Sequence, residues 1–206
     1  MTIPRQPEAV LCDVDGVIRF VDHGEVRRLE KEAGLSPGTT AAVAFADGTA
    51  LRLVLGALTR DQWATEVAHG LTATVPAARA RALAAALTRA PARVDATVVG
   101  LLRKARKRVP VLLVSNATLW LEEDLAAAGL GDLAEGTVNS ARVGVAKPDP
   151  EIFRVAARRA GVAPDRCLFV DDGPANVAAA ARLGMTAVDF REPDDLRRAL
   201  APLLDE

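Results

Sequence analysis

The segment Ala9-Val10-Leu11-Cys12-Asp13-Val14-Asp15-Gly16 decides the fold. Four apolar residues run without interruption into two carboxylates and a glycine. A near-continuous apolar run of this length reads as a strand buried on both faces, the form taken by strands of parallel sheets. Two later segments repeat the pattern. Val111-Leu112-Leu113-Val114 runs into Ser115-Asn116, and Cys167-Leu168-Phe169-Val170 runs into Asp171-Asp172-Gly173. In open α/β sheets, ligands bind just beyond the carboxyl ends of the strands. Carboxylates, a hydroxyl and an amide at three such ends point to one site. Lys147, in Ala146-Lys147-Pro148-Asp149-Pro150, adds a cation.

Between the first run and Val111 no comparable strand is found, and the chain reads as helices. Asp22 to Ala33 is amphipathic and is followed by Gly34. Ser36-Pro37 has the form of an N-cap followed by proline at the first helical position. Thr59-Arg60-Asp61-Gln62 has capping-box spacing and opens a helix through Trp63 and Val67 to His69, with Gly70 as its stop. Pro76 to Ala90 is rich in Ala and Leu. A small helical-bundle domain over residues 18–92 is expected, inserted after the first strand. Residues 1–17 and 93–206 form the remainder.

That remainder alternates strands and helices. Asp95 caps a helix to about Arg108, strand 111–114 follows, and helices are expected over 119–128, from Asp149-Pro150 to Gly161, and over 174–183. Thr186 to Phe190 is a last strand and Asp194 to Leu204 a last helix. Right-handed crossovers then give a doubly wound parallel sheet, a Rossmann-like α/β core.

Half of the 206 residues are hydrophobic and none is tyrosine, which suits one catalytic domain carrying an insert. A formal net charge of −1 favours neither nucleic acid nor an anionic membrane surface as a partner. Cys12 and Cys167 fall in expected core strands, where they read as small buried hydrophobes and not as a disulfide. The chain shows no secretory signal pattern and no apolar stretch of membrane-spanning length, so a cytoplasmic protein, monomer or homodimer, is expected.

Asp13, Asp15, Asp171 and Asp172 converge on this reading. Like charges about 4 Å apart repel by roughly 4 kcal/mol at intermediate dielectric. Lys147 offsets one charge, and a hard divalent cation offsets the rest. Oxygen ligands without imidazole select Mg²⁺ over zinc. An ionised Asp beside such cations is a nucleophile towards phosphorus. A second carboxyl, Asp15, can protonate the leaving oxygen and then deprotonate water, help typically worth about 10²–10⁴-fold. Ser115 and Asn116 offer donors to a phosphoryl group.

With these residues assembled, the chain resembles the haloacid dehalogenase superfamily of hydrolases, in the branch with a helical cap. Asp13-Val14-Asp15-Gly16 is similar to the first motif, Ser115-Asn116 to the second, Lys147-Pro148 to the third and Asp171-Asp172 to the fourth. The resemblance implies Asp13 as nucleophile and metal ligand, Asp15 as general acid/base through its side chain, and the Asp15 carbonyl as a metal ligand. It implies Ser115, supported by Asn116, on the phosphoryl group, and Lys147 between nucleophile and phosphate. Asp171 would ligate Mg²⁺ directly, and Asp172 would ligate it or hold a bound water. Asn176 resembles a supporting fourth-motif asparagine.

Two departures bear on specificity. Dehalogenase members lack the second Asp of the first motif, so Asp15 argues against C–halogen hydrolysis. Val17-Ile18-Arg19-Phe20 replaces the commoner Thr-Leu after the glycine, so Gly16, Arg19 and Phe20 are weak substrate-contact candidates. Arg52, His23 and the stretch 48–56 are weaker ones. His69, Trp63 and Trp120 read as a helix-end contact and packing at amphipathic helical positions. The expected function is Mg²⁺-dependent hydrolysis of a small phosphorylated metabolite through an aspartyl-phosphate, with hinges beside Gly16 and near 91–94. A phosphomutase on the same core, or a non-catalytic phospho-binding protein, is the alternative.

Overall fold

The computed structural model describes residues 6–204, and among these the chain divides into two compact units. One holds the chain up to Phe20 together with everything from Val94 onward; the other is Val21–Arg93. The expected insert was 18–92, so both boundaries fall slightly later in the chain.

The elements in chain order are β1 (Ala9–Cys12), β2 (Arg19–Val21), α1 (Gly24–Glu32), α2 (Thr39–Ala44), α3 (Asp47–Val54), α4 (Arg60–Leu71), α5 (Ala77–Thr88), β3 (Ala92–Val94) and α6 (Ala96–Ala105). They continue with β4 (Val111–Ser115), α7 (Leu121–Ala127), β5 (Gly136–Asn139), α8 (Ser140–Val143) and α9 (Pro150–Ala160). A 3₁₀ turn over Pro164–Arg166 leads to β6 (Cys167–Asp171), α10 (Pro174–Arg182), β7 (Thr186–Asp189) and α11 (Pro193–Leu204).

In the first unit the strands form a parallel sheet in the order β5-β4-β1-β6-β7. Side chains of a strand alternate between faces, and the packing follows that alternation. Val10, Cys12, Val111, Leu113, Leu168 and Val170 face one apolar layer with Leu102 of α6, Leu121 of α7 and Leu200 of α11. Ala9, Leu11, Leu112, Val114 and Phe169 face the other, with Phe153 of α9 and Ala180 of α10. Phe153 and Phe169 meet edge to face, their ring centres 5.0 Å apart. Both faces are covered, so the near-continuous apolar runs have their physical cause. Asp95 caps α6 by accepting from the N–H groups of Thr97 and Val98, and Asp149 caps α9 from Glu151.

The sequence reading assigned no strand to Gly136–Asn139. This edge strand pairs only with β4, and its first two residues are just half-buried. A strand covered on one flank needs no continuous apolar run.

The second unit is helical. α4 and α5 pack on each other and on α1 and α2 around Val67, Leu71, Leu83 and Leu87. The Thr59–Gln62 capping box forms with both hydrogen bonds present. Two expectations need correction. Ser36 does not cap a helix: α2 begins at Thr39, after Gly38 in a left-handed conformation at φ +87°. The N–H groups of Gly38 and Thr40 donate to the Glu30 carboxylate, so a side chain from α1 does the capping across ten residues. Gly70 does not stop α4, which continues to Leu71. A Cβ at Gly70 would lie 2.6 Å from Val43, so the glycine admits a close approach of α2 and does not end a helix.

Candidate active site

Strand order brings the polar ends together. From β1 the chain winds outward to β4 and β5, then returns to the other side of β1 for β6 and β7. The reversal opens a crevice at the carboxyl end of β1. Asp13 follows the last residue of β1, its N–H still donating to the Val170 carbonyl at 2.9 Å. Ser115 and Asp171 end the two neighbouring strands, and both are buried.

Lys147 ties this group together. Its Nζ lies 2.8 Å from Asp13 Oδ1 and 2.6 Å from Asp171 Oδ2, and its side chain is only 1% exposed. One ammonium therefore serves two buried carboxylates. Burial pushes the Asp13 carboxyl up to about 7; Lys147 opposes that rise and the Asp171 charge adds to it. Burial alone would lower the Lys147 ammonium, yet Asp13 and Asp171 hold it above its ordinary range. The backbone of Lys147 is fixed separately. Asn116 Nδ2 donates to the Lys147 carbonyl and the Lys147 N–H donates to Asn116 Oδ1, both at 2.7 Å. Both ends of the Asn116 amide are thus engaged on the loop that carries the lysine, and the Lys147–Pro148 bond of that loop is cis.

Asp171 is held by three donors. Lys147 occupies Oδ2, while the Gly173 N–H and Asn176 Nδ2 donate to Oδ1 at 2.8 and 2.9 Å. Asp171 therefore makes the contact at the start of α10 that was expected of Asp172; the N-cap residue itself is Gly173. Asp172 is partly exposed, and burial followed by the Asp171 charge raises its carboxyl above the usual range. The chain at Gly16 runs hard against it. A Cβ at Gly16 would sit 2.1 Å from Asp172 Oδ2, and its φ is +90°. Only glycine meets both demands.

Carboxylate oxygens of Asp13, Asp171 and Asp172 lie within 4.8 Å of one another. Three carboxylates against one ammonium leave uncompensated negative charge, and every donor is a hard oxygen. That donor set fits Mg²⁺ or a similar divalent cation.

Asp15 stands apart from this cluster. Arg19 forks onto it, Nε to Oδ1 at 2.7 Å and Nη2 to Oδ2 at 2.9 Å. Arg19 Nη1 also reaches Asp124 Oδ2 on α7 at 3.4 Å. The turn that makes this possible is anchored by Val17 and Ile18, both fully buried, with the Ile18 and Arg19 N–H groups donating to the Val14 carbonyl. Arg19, a candidate for substrate contact, thus has its guanidinium committed within the motif. The signal for this was legible in part: Arg19 follows Asp15 by four residues around a glycine turn. Nothing in the sequence announces Asp124.

Phe20 follows in β2, which pairs with β3. In the helical unit, Arg52 is paired with Glu66 at 2.9 Å, and His23 is the N-cap residue of α1. Trp63 is buried, donates to the Ala44 carbonyl and packs on Phe45. His69 lies in the last turn of α4. Trp120 of the first unit precedes α7 at its N-cap position, outside the amphipathic helix expected for it. Cys12 and Cys167 are both buried and free.

The family profile of haloacid dehalogenase-like hydrolases matches residues 7–184, most of the chain. The chain belongs to this family. Its core is that of a haloacid dehalogenase-like hydrolase. Over 90 residues it is 39% identical to a phosphoserine phosphatase of Thermus thermophilus, covering 42% of this chain and 36% of that protein. Over 67 residues it is 39% identical to flavin mononucleotide hydrolase 1 of Arabidopsis thaliana, covering 32% and 27%. These matches span about a third of the relatives' own length. A haloacid dehalogenase family enzyme of Bacteroides thetaiotaomicron, solved with magnesium and inorganic phosphate, shares the fold at a TM-score of 0.68 and 23% identity, covering 87% of this chain and 92% of that one.

Proposed function

We propose that this hydrolase is a Mg²⁺-dependent phosphatase acting on small phosphate monoesters through a phosphoryl group carried transiently on Asp13. The observation that carries the reading is the buried Asp13–Lys147–Asp171 arrangement beside Asp172. It provides a nucleophile, a fixed cation and an oxygen-rich cation site at the end of one strand. The relatives named for phosphoserine and flavin mononucleotide, both small phosphorylated molecules, support the substrate class.

In this reading Asp13 attacks phosphorus, and the bond from phosphorus to the leaving oxygen breaks. Asp15 gives the leaving oxygen its proton. Asp15 then takes a proton from water, which attacks the same phosphorus, releases phosphate and restores the Asp13 carboxylate. Lys147 holds Asp13 and meets the charge on the phosphoryl oxygens. Ser115 donates to the phosphoryl group. Asn116 keeps the Lys147 loop in register. Asp13 and Asp172, with the Asp15 carbonyl, would hold the cation, and Asp171, already taken up by three donors, braces Lys147 and Asn176. The bound cation supplies neutralisation of phosphoryl charge.

The test is phosphate release from a panel of sugar phosphates, nucleotides and phosphorylated acids, with Mg²⁺ or with a chelator, beside Asp13→Asn. Mg²⁺-dependent release lost in the variant is the expected result. Turnover that survives Asp13→Asn would overturn the assignment of the nucleophile.

A further inference from the structure

Asp15 must both give and take a proton in the reading above, and the inference here rests on that reading. The structure holds its carboxylate in a pose suited to only one of the two. Both oxygens accept from the Arg19 fork, at 2.7 and 2.9 Å. A guanidinium has five donors and no acceptor. A carboxyl that aims an O–H at a leaving oxygen must turn at least one oxygen away from Arg19. A carboxylate that receives a proton from water needs only a spare lone pair and is otherwise well served where it is.

Arg19 is itself held. Its side chain is 12% exposed, it spans Asp15 and Asp124, and its backbone is fixed by the turn closed on the Val14 carbonyl. The Gly16 N–H donates to the Arg19 carbonyl at 2.9 Å, which ties the fork to the same loop as the nucleophile. Asp15, with a side chain 42% exposed, is the more accessible member of the pair. The part that is free to move is the acid, and the part that is fixed is the fork.

We infer that Arg19, braced by Asp124, is a positioning residue that sets the balance of Asp15 between its two duties. It holds Asp15 as a proton acceptor for the water step and must release it for the leaving-group step. The step that bears the cost is proton donation, so esters with poor leaving groups are slowed relative to esters whose leaving group needs no proton.

The experiment compares kcat for an alkyl phosphate, glycerol 2-phosphate, with kcat for p-nitrophenyl phosphate, both with saturating Mg²⁺. Arg19→Met keeps the apolar stem and removes the fork. Arg19→Lys keeps one bond and cannot fork. Asp124→Asn weakens the brace without touching Asp15. The ratio of alkyl to aryl turnover is expected to rise roughly threefold to tenfold in Arg19→Met, the range set by a partly exposed charged fork. It rises less in Arg19→Lys and Asp124→Asn. A merely structural role would lower both rates together and leave the ratio unchanged, which overturns the inference, as does a ratio that falls. Asp15→Asn separates the two levels. If it selectively loses the alkyl ester while Arg19→Met leaves the ratio alone, the inference fails and the function stands. If the wild-type protein releases phosphate from neither ester, the function falls and the inference falls with it. Melting curves of each variant show whether it is folded, and Asp124→Asn keeps the question decidable should Arg19→Met not fold.

Discussion

Lys147 carries one positive charge between two carboxylates that water barely reaches. Breaking a buried pair by removing one partner costs about 3–5 kcal/mol, because the remaining charge is left without compensation. Lys147→Met strands two such groups, Asp13 and Asp171. The variant is expected to melt well below the wild type and to lose at least about 10²-fold in kcat, the loss seen when one preorganised charge-stabilising group is removed. Thermal melts with parallel phosphate-release assays check both; an unchanged melting temperature would mean the carboxylates find another partner. At the same scale, the roles of individual residues were unevenly legible. Asp13, Asp15 and Lys147 could be read because their chemistry depends on residue type. The grip of Asn116 on the Lys147 backbone could not, because it joins residues 31 apart through a contact that any asparagine at a strand end could have made elsewhere. The Arg19 fork lay between these cases, since a tight turn brings close the residues that a helix would also have paired.

At the scale of elements, Glu30 is the clearest case of a side chain organising its surroundings. It is 1% exposed and its two oxygens accept from the N–H groups of Thr40 and Gly38, at 2.7 and 2.9 Å. Burial would raise its carboxyl, but these backbone donors, with the Thr40 side chain and the nearby His23, bring it below the ordinary carboxylate range. A depressed folded-state pKa adds stability that is fully present above the unfolded value, about 4.3, and is lost as pH falls through the folded one. Glu30→Gln is therefore expected to cost about 1–3 kcal/mol at pH 7. The gap between wild type and variant should close as the pH is lowered below about 4. Urea melts at several pH values, read from the helical signal, check this; a gap that widens in acid would contradict it. Elements were legible where burial was two-sided. β1, β4 and β6 are covered on both faces and flanked by strands on both edges, so their sequences are apolar throughout. β5 has an open edge and begins with glycine, and α2 takes its cap from another helix. Local reading had nothing to hold in either place.

At the scale of the molecule, charge and chain path matter most. The core unit gathers three carboxylates around one lysine, so a ligand that binds only the folded form and brings positive charge stabilises it. With Mg²⁺ at a hundred times its dissociation constant the gain is about 2.7 kcal/mol, and for a chain of this size that is a rise of several degrees in melting temperature, on the order of 2–4 °C per kcal/mol. Mg²⁺ should raise the melting temperature, EDTA should reverse the rise, and Asp172→Asn should blunt it. A melting temperature indifferent to Mg²⁺ in the wild type would remove the cation site from the reading. The chain path has a consequence of its own. Within the core unit the Asp95 N–H donates to the Ile18 carbonyl at 2.9 Å, and within the helical unit the Asp22 N–H donates to the Pro91 carbonyl at 2.7 Å. Each unit's two loose ends thus lie side by side. In the gene the helical unit is an interruption of 73 codons; in space it is a cassette with adjoining terminals. A short turn would splice the core shut, and a different insert could be ligated into the same joint. Selection can exchange what surrounds the chemistry without cutting the strands that perform it.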